Sequence, residues 1–316
     1  MRILFWGTPE FAVPPLLALL GEGFEVTGVV TQPDRAQGRS RSTLVASAVK
    51  VAALEHELPV FQPETPKDAE FQEMIRLMAP DLSVVVAYGH ILPRVVIGIP
   101  AHGTLNIHAS LLPHLRGAAP IQAAILEGAH VTGVTIMRMV PALDAGPVLH
   151  VLSTPIADDE TFGELRLRLA ELGALALVEA LSLLSVGPLE VRAQDDARAT
   201  YAPKITRDSA RIDWSREAHV VSRVIRAFDP APGSWTTLHG REVKLFGAGV
   251  AGAGCAVAGE VLDIDGNGLL VACGQGAVRV REAHPEGKRR ASATAWARGR
   301  GVVIGDRFGA QAGGGP

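Results

Sequence analysis

Cysteine is nearly absent: Cys255 and Cys273 are the two in 316 residues. Two cannot form a disulfide framework or a four-cysteine zinc site, and they fit a reducing compartment. No run of about 18 uncharged apolar residues exists, because Glu171 and Glu179 interrupt the best stretch, 165–186. The opening Arg2-Ile3-Leu4-Phe5-Trp6 starts like a signal peptide. Pro9, Glu10, Pro14 and Pro15 then break it, and no small-residue cleavage site follows. No histidine, His102 and His114 included, stands at a metal-ligand spacing, so no metal is expected. The expectation is a cytoplasmic protein with no membrane partner.

The composition supplies a core instead. Hydrophobic residues make up 47% and charged residues 20%, which excludes global disorder, and the length suits two domains. Charge is unevenly placed within a formal net of −3. Residues 1–203 hold 14 Lys+Arg against 22 Asp+Glu, a net of −8, whereas 204–316 hold 16 against 11, a net of +5. A basic C-terminal part on an acidic body fits a polyanionic partner, although compositional drift would give the same imbalance.

Strand candidates at 2–6, 24–31, 58–61 and 82–87 alternate with helical stretches at 11–20, 43–57 and 64–78. Strands apolar on both faces, separated by helices, predict an α/β domain built on a Rossmann-like parallel sheet. A dinucleotide site is excluded at the first loop. Gly7-Thr8-Pro9-Glu10-Phe11 lacks the second and third glycines, and Glu10 would face the phosphate. A long helix is predicted at 161–184, followed by a polar, aperiodic linker and a helix at 216–228 after Ser215, a competent N-cap. Short strands with Gly-rich turns at 241–246, 257–263, 268–273 and 277–281 predict a small β-barrel, of which the oligonucleotide-binding (OB-like) type is one candidate. The expected domains are therefore 1–186, a linker at 187–205, and 206–316. The tail from Gly309 to Pro316 is Gly-rich and reads as unstructured.

Residues 103–147 carry the chemistry. Thr104-Leu105-Asn106-Ile107-His108 is an alternating strand that puts Asn106 and His108 on one face, about 7 Å apart. Two polar side chains there are costly without partners; a loop-capping role satisfied by backbone is the plain alternative. Asp144 lies in the loop Pro141-Ala-Leu-Asp-Ala-Gly-Pro147, either as a turn former or as a functional carboxylate. An Asn amide can donate to an oxyanion, a His can stabilise it or pass a proton, and an Asp can orient the His and accept a proton. No Ser, Cys or Lys nucleophile stands beside them, and Ser110 lacks a nucleophile-elbow context. Direct transfer to an attacking group on a substrate is the chemistry expected.

Asn106-Ile-His108, Ser110-Leu-Leu-Pro113 and Leu143-Asp144-Ala-Gly146 resemble the formyltransferases that use 10-formyltetrahydrofolate. The resemblance is longest to the methionyl-tRNA formyltransferase family. It runs through Gly7-Thr-Pro-Glu-Phe11, Thr31-Gln-Pro-Asp-Arg35, Ala87-Tyr-Gly89, Arg116-Gly-Ala-Ala-Pro-Ile-Gln122, Tyr201-Ala-Pro-Lys204, Arg211-Ile-Asp-Trp214, Ile225-Arg-Ala-Phe228 and Gly287-Lys-Arg-Arg290. The resemblance implies formyl transfer from 10-formyltetrahydrofolate to the α-amino group of methionine on initiator methionyl-tRNA, by a monomer, with Asn106, His108 and Asp144 as catalytic residues. It implies that Ser110, Leu111, Leu112 and Pro113 line the folate site, with Ile91 and Leu92 beside the pterin. It also implies tRNA contacts from Arg35, Arg39 and Arg41 in a basic loop, from Lys204, and from Lys288, Arg289 and Arg290 in the C-terminal domain.

Two segments depart from the family pattern. Ser40-Arg41-Ser42 replaces a more basic pair, and Val140-Pro141-Ala142 replaces an acidic residue and a glycine ahead of Asp144. The alternative function is formylation of a small amine, an amino sugar or glycinamide ribonucleotide, by the same three residues; a folate- or RNA-binding protein without catalysis is a third reading.

Overall fold

A computed structural model describes residues 1–37, 43–187, 191–252 and 256–310. Arg39, Arg41 and Cys255 lie outside the described residues, as do 311–316 of the Gly-rich tail. The chain divides into two compact units. The first comprises Met1–Pro120, Val131–Thr154 and Arg166–Ala202; the second comprises Ile121–His130, Pro155–Leu165 and the chain from Pro203 onward.

A seven-stranded sheet organises the first unit, in the order Val148–Pro155, Val131–Arg138, Thr104–His108, Leu82–Val86, Arg2–Gly7, Glu25–Val30, Val60–Phe61. Arg2–Gly7 and Leu82–Val86 are apolar on both faces because both faces are covered, and they pair in parallel with each other and with their outer neighbours. The sheet is not parallel throughout: Val131–Arg138 runs antiparallel to Thr104–His108.

Helix boundaries shift where polar caps and prolines intervene. The stretch expected to be helical from 43 opens as the strand Thr43–Val45, paired with Arg35–Gln37, and the helix is Ala48–Glu55. Ser47 caps it by accepting from the Lys50 N–H. The helix expected from 64 is Ala69–Met78, with Asp68 as its cap. The helix Phe162–Val186 is long and apolar enough to cross a bilayer by length and composition. Here it is a core helix, burying Leu169, Ala176, Leu177, Ala180 and Leu181.

Residues 191–202 of the expected linker are chain of the first unit, and 203–205 fall in the second. Tyr201–Ala202 pairs in parallel with Arg116–Gly117, and a short 3-10 turn, Asp196–Arg198, precedes it.

The second unit carries an antiparallel sheet in the order Ser234–Leu238, Arg241–Ala251, Ala277–Pro285, Gly268–Ala272, Val261–Asp265. Periodicity missed the first of these strands and also the helix Ala293–Arg298. Irregular chain bridges the two edges. Phe308 N–H donates to Gly259 O at 2.9 Å, and Gly309 N–H donates to Thr237 O at 2.8 Å. The helix Ala218–Ala227 begins after Glu217 rather than Ser215, whose hydroxyl donates to Asp213 instead. Trp214, Val221, Ile225, Leu245, Val280 and Phe308 fill this core, with Phe308 stacked on Trp214 at 5.5 Å.

Phe308→Ala should therefore cost about 3–5 kcal/mol in the second unit, read as a shifted denaturant midpoint. Burial pushes the Cys273 thiol up to about 11. In a Cys255→Ser background it should resist thiol reagents at neutral pH until this unit opens, and Phe308→Ala should speed the labelling.

Candidate active site

The strand order makes a switch point between Arg2–Gly7 and Leu82–Val86, whose outer neighbours, Glu25–Val30 and Thr104–His108, lie on opposite sides. In open α/β sheets such a point leaves a crevice outside the carboxyl ends of the strands. Thr8 crosses it, donating from Oγ1 to Tyr88 O at 2.8 Å and accepting from the Gln32 N–H at 3.3 Å.

Thr104–His108 delivers the chemistry by simple alternation. Leu105 and Ile107 are buried on one face, leaving Asn106 and His108 on the other. Asn106 is partly exposed, and its amide has no hydrogen-bond partner among the described residues. His108 is 6% exposed, and its Nε2 lies 2.9 Å from the carbonyl oxygen of Leu115. A carbonyl only accepts, so Nε2 carries a proton, and in the neutral form of the ring the lone pair on Nδ1 faces the other way. Nδ1 lies 3.8 Å from Asp144 Oδ2. That distance is too long for a hydrogen bond. The expectation that Asp144 orients His108 is thus replaced: Leu115 orients it, and Asp144 faces it across a gap that an amine can bridge.

The loop holding Asp144 starts beside Thr104, where Met139 N–H donates to Thr104 O at 2.8 Å, and folds back to His108. Asp144 has φ +48°, a left-handed conformation that Asp tolerates better than most residues. Its Oδ2 accepts from the Gly117 N–H at 2.8 Å. Gly117 adopts φ +117°, and a Cβ there would lie 2.6 Å from Ala202 O, so glycine is what permits this donor.

Sequence patterns missed the residues that hold this geometry. Gln194 Nε2 donates to Asp144 O at 2.8 Å and to Gly146 O at 2.7 Å, while its Oε1 accepts from Arg116 at 3.1 and 2.8 Å. Arg116, buried, also pairs with Asp196 at 2.7 Å. Thr200 Oγ1 accepts from the Leu115 N–H at 2.9 Å, and its carbonyl accepts from the Arg116 N–H at 2.8 Å. No periodicity marks these positions; the one signal was polar residues in an aperiodic stretch.

The remaining expected residues divide by environment. Ser110 is buried and its hydroxyl donates to His114 O at 2.5 Å, so its side chain is already committed. Leu111, Leu112 and Pro113 are half-buried. Leu92 packs with Trp6 and Tyr88, whereas Ile91 is 81% exposed and Leu143 is 56% exposed. Arg35 is exposed and reaches Gln32 Oε1 at 3.4 Å. The neighbouring Asp34 does not neutralise it: hydrogen bonds from Lys50 and Gln62 hold that carboxyl below its ordinary range. In the second unit Lys204, Lys288 and Arg289 are exposed, with no ion pair among the described residues. Arg290 differs, pairing with Glu282 and Asp229 and lying 3.9 Å over the Phe246 ring.

The formyl transferase family model matches residues 1–181, and the formyl transferase C-terminal domain model matches 204–301. A methionyl-tRNA formyltransferase of Pseudomonas putida (strain GB-1) is 51% identical over 278 residues, 88% of this chain and 89% of the relative. One of Thiobacillus denitrificans is 48% identical over 312 residues, 98% of this chain and 100% of the relative. Among solved structures, HypX from Aquifex aeolicus in complex with tetrahydrofolic acid aligns with a TM-score of 0.68 at 22% identity, over 93% of this chain and 46% of that one. An N-formyltransferase from Helicobacter canadensis aligns with a TM-score of 0.65 at 15% identity, over 89% and 98%.

Gly146 tests the loop. A Cβ there would lie 1.7 Å from the carbonyl oxygen of Arg138, so Gly146→Ala must displace backbone two residues from Asp144. Turnover should fall about 10²-fold, the cost of roughly 1 Å of misplacement. A crystal structure of the variant should show His108 and Asp144 further apart than 3.8 Å.

Proposed function

The chain belongs to the formyl transferase family, with both its N-terminal and C-terminal domains present, and from that membership we propose that it formylates the α-amino group of methionine on initiator methionyl-tRNA, using 10-formyltetrahydrofolate. The observation that carries this choice of acceptor is near-half identity, over almost the whole length, to methionyl-tRNA formyltransferases. Facing groups of the right chemistry at Asn106, His108 and Asp144 support the reaction class.

The donor supplies a formyl group bound as an amide at N10. The residues present suit it. Asn106 offers an amide without a partner among the described residues, and the exposed apolar surface of Ile91 and Leu143 suits a planar pteridine. Leu92 and Ser110–Pro113 are assigned to the walls of that site.

An α-amino group with a pKa of about 8 is largely protonated at neutral pH and cannot attack until it loses a proton. Asp144 Oδ2 and His108 Nδ1 both present lone pairs, and an ammonium group between them can hand over its proton at once. Asn106 then donates to the formyl oxygen as negative charge builds there. His108, once protonated at Nδ1 and paired with Asp144, stabilises that charge and gives its proton to N10 as the C–N10 bond breaks. The attacking nitrogen, cationic again after attack, releases its second proton to Asp144 and from there to solvent. All of these groups lie within one chain, so the proposed reaction needs no second copy, and the enzyme is taken to act as a monomer. Both substrates belong to the cytoplasm, the compartment assigned here.

The tRNA would be held by Arg35, Arg39 and Arg41 from the first unit and by Lys204, Lys288 and Arg289 from the second. Arg290 would act at one remove, because its charge is matched by two carboxylates.

Asn106→Ala should lower kcat by about 10²–10³-fold, the cost of one oxyanion donor, measured as formyl transfer to charged initiator tRNA. Uncharged tRNA and amino sugars should accept nothing; transfer to an amino sugar but not to charged tRNA would sink the proposed acceptor. Replacing Lys288 and Arg289 by alanine should weaken tRNA binding and flatten its salt dependence by ~0.7–0.9 in log K against log salt per lost phosphate contact. An unchanged slope would remove both residues from the tRNA surface.

A further inference from the structure

Asp144 sits in a loop with little regular structure of its own, in a left-handed backbone conformation, yet its carboxylate must face His108 to within an ångström or so. Something outside the loop has to set it. The Gly117 N–H fixes one carboxylate oxygen. Among the described residues, the side chain that fixes the main chain is Gln194. Its amide group spans the carbonyls of Asp144 and Gly146 with two short hydrogen bonds, and its oxygen is itself clamped by two donors of the buried Arg116. The planar amide therefore cannot rotate. Exchanging its oxygen and nitrogen would set donors against the guanidinium and an acceptor against two carbonyls.

We propose that Gln194 is a positioning residue for formyl transfer: it reads the orientation of Arg116 and imposes it on the backbone around Asp144, so that the carboxylate meets the amine of the acceptor. The proposal rests on the reading of Asp144 as the proton acceptor. Arg116 precedes Gly117, whose N–H holds the Asp144 carboxylate, and follows Leu115, whose carbonyl holds His108. One short segment thus references both catalytic side chains to the same frame, and Gln194 ties the Asp144 loop to it. Segment 194–202 does this from inside the first unit, which gives the stretch after the long helix a catalytic purpose beyond joining two domains.

Gln194→Glu separates this role from simple packing. The glutamate keeps the size and the acceptor toward Arg116, where it forms an ion pair, but it places an acceptor in front of two carbonyls and cannot donate to them. The experiment compares wild type, Gln194→Glu, Asp144→Asn and the double variant, with thermal unfolding as the check on folding. The expected result is a native unfolding temperature for Gln194→Glu, a kcat lowered about 10²-fold by misplacement of the carboxylate, and KM values for both substrates within about threefold of wild type. In the double variant the losses should not multiply, because both changes disable the same group. A wild-type kcat in Gln194→Glu overturns the proposal. So does a loss confined to KM for tRNA, which would make Gln194 a binding residue, or failure of the variant to fold, which would make it a structural one. Fully multiplicative losses overturn it as well. Near-normal turnover in Asp144→Asn is a separate failure: it removes the reading of Asp144 itself, whatever Gln194 does.

Discussion

The contact between His108 Nε2 and the carbonyl of Leu115 governs the rest of the site, because it settles which nitrogen of the ring carries a proton. With Nε2 committed, Nδ1 is left to face Asp144, and the pair becomes two acceptors across a gap of 3.8 Å. Two acceptors in that arrangement are at ease only when a proton or a donor comes between them. In the proposed reaction the substrate amine brings one. Leu115 can present its carbonyl this way because its backbone is left-handed, φ +58°, and is held there by Thr200 through the Leu115 and Arg116 N–H groups. The protonation geometry of the histidine thus depends on a residue more than 80 positions away in the chain.

This arrangement explains how residues 191–202 are held in place despite their polar, aperiodic sequence. Its side chains have little to bury against one another, so they are satisfied by the loops they support. Gln194 meets two carbonyls and a guanidinium; Thr200 meets two backbone N–H groups. Arg116, a buried cation, is tolerable because Gln194 and Asp196 complete its hydrogen bonding. Polar side chains with long reach serve here as ties between irregular segments that have no ladder of their own.

The cations divide in the same spirit. Lys288, Arg289 and Lys204 stand in solvent without a partner among the described residues, and such groups cost little to bring to a phosphate because no internal pair must first be broken. Arg290, next in sequence, spends its charge on Glu282 and Asp229 and its flat face on Phe246. A run of three basic residues therefore contains two different kinds of cation, and net charge counted along the chain does not distinguish them.

Much was legible before any coordinates. The alternation that puts Asn106 and His108 on one strand face is a property of period two, and Leu105 and Ile107 confirm it by being buried. The apolar runs of the central strands, the long helix and most of the C-terminal strands follow from local pattern, since burying a face imposes its period on the residues that form it. Helix starts were misplaced where Ser47 and Asp68 act as caps and where Ser215 instead turns its hydroxyl to Asp213, because a capping residue is identified by the bond it makes and not by its type. The residues themselves thus determined which chemistry is available and roughly which elements carry it. Tertiary structure alone decided that Leu115 and not Asp144 orients His108, that Gln194 and Thr200 hold the site, and that Arg290 is neutralised. Those are contacts between segments distant in sequence and irregular in conformation, and no local period encodes where such segments meet.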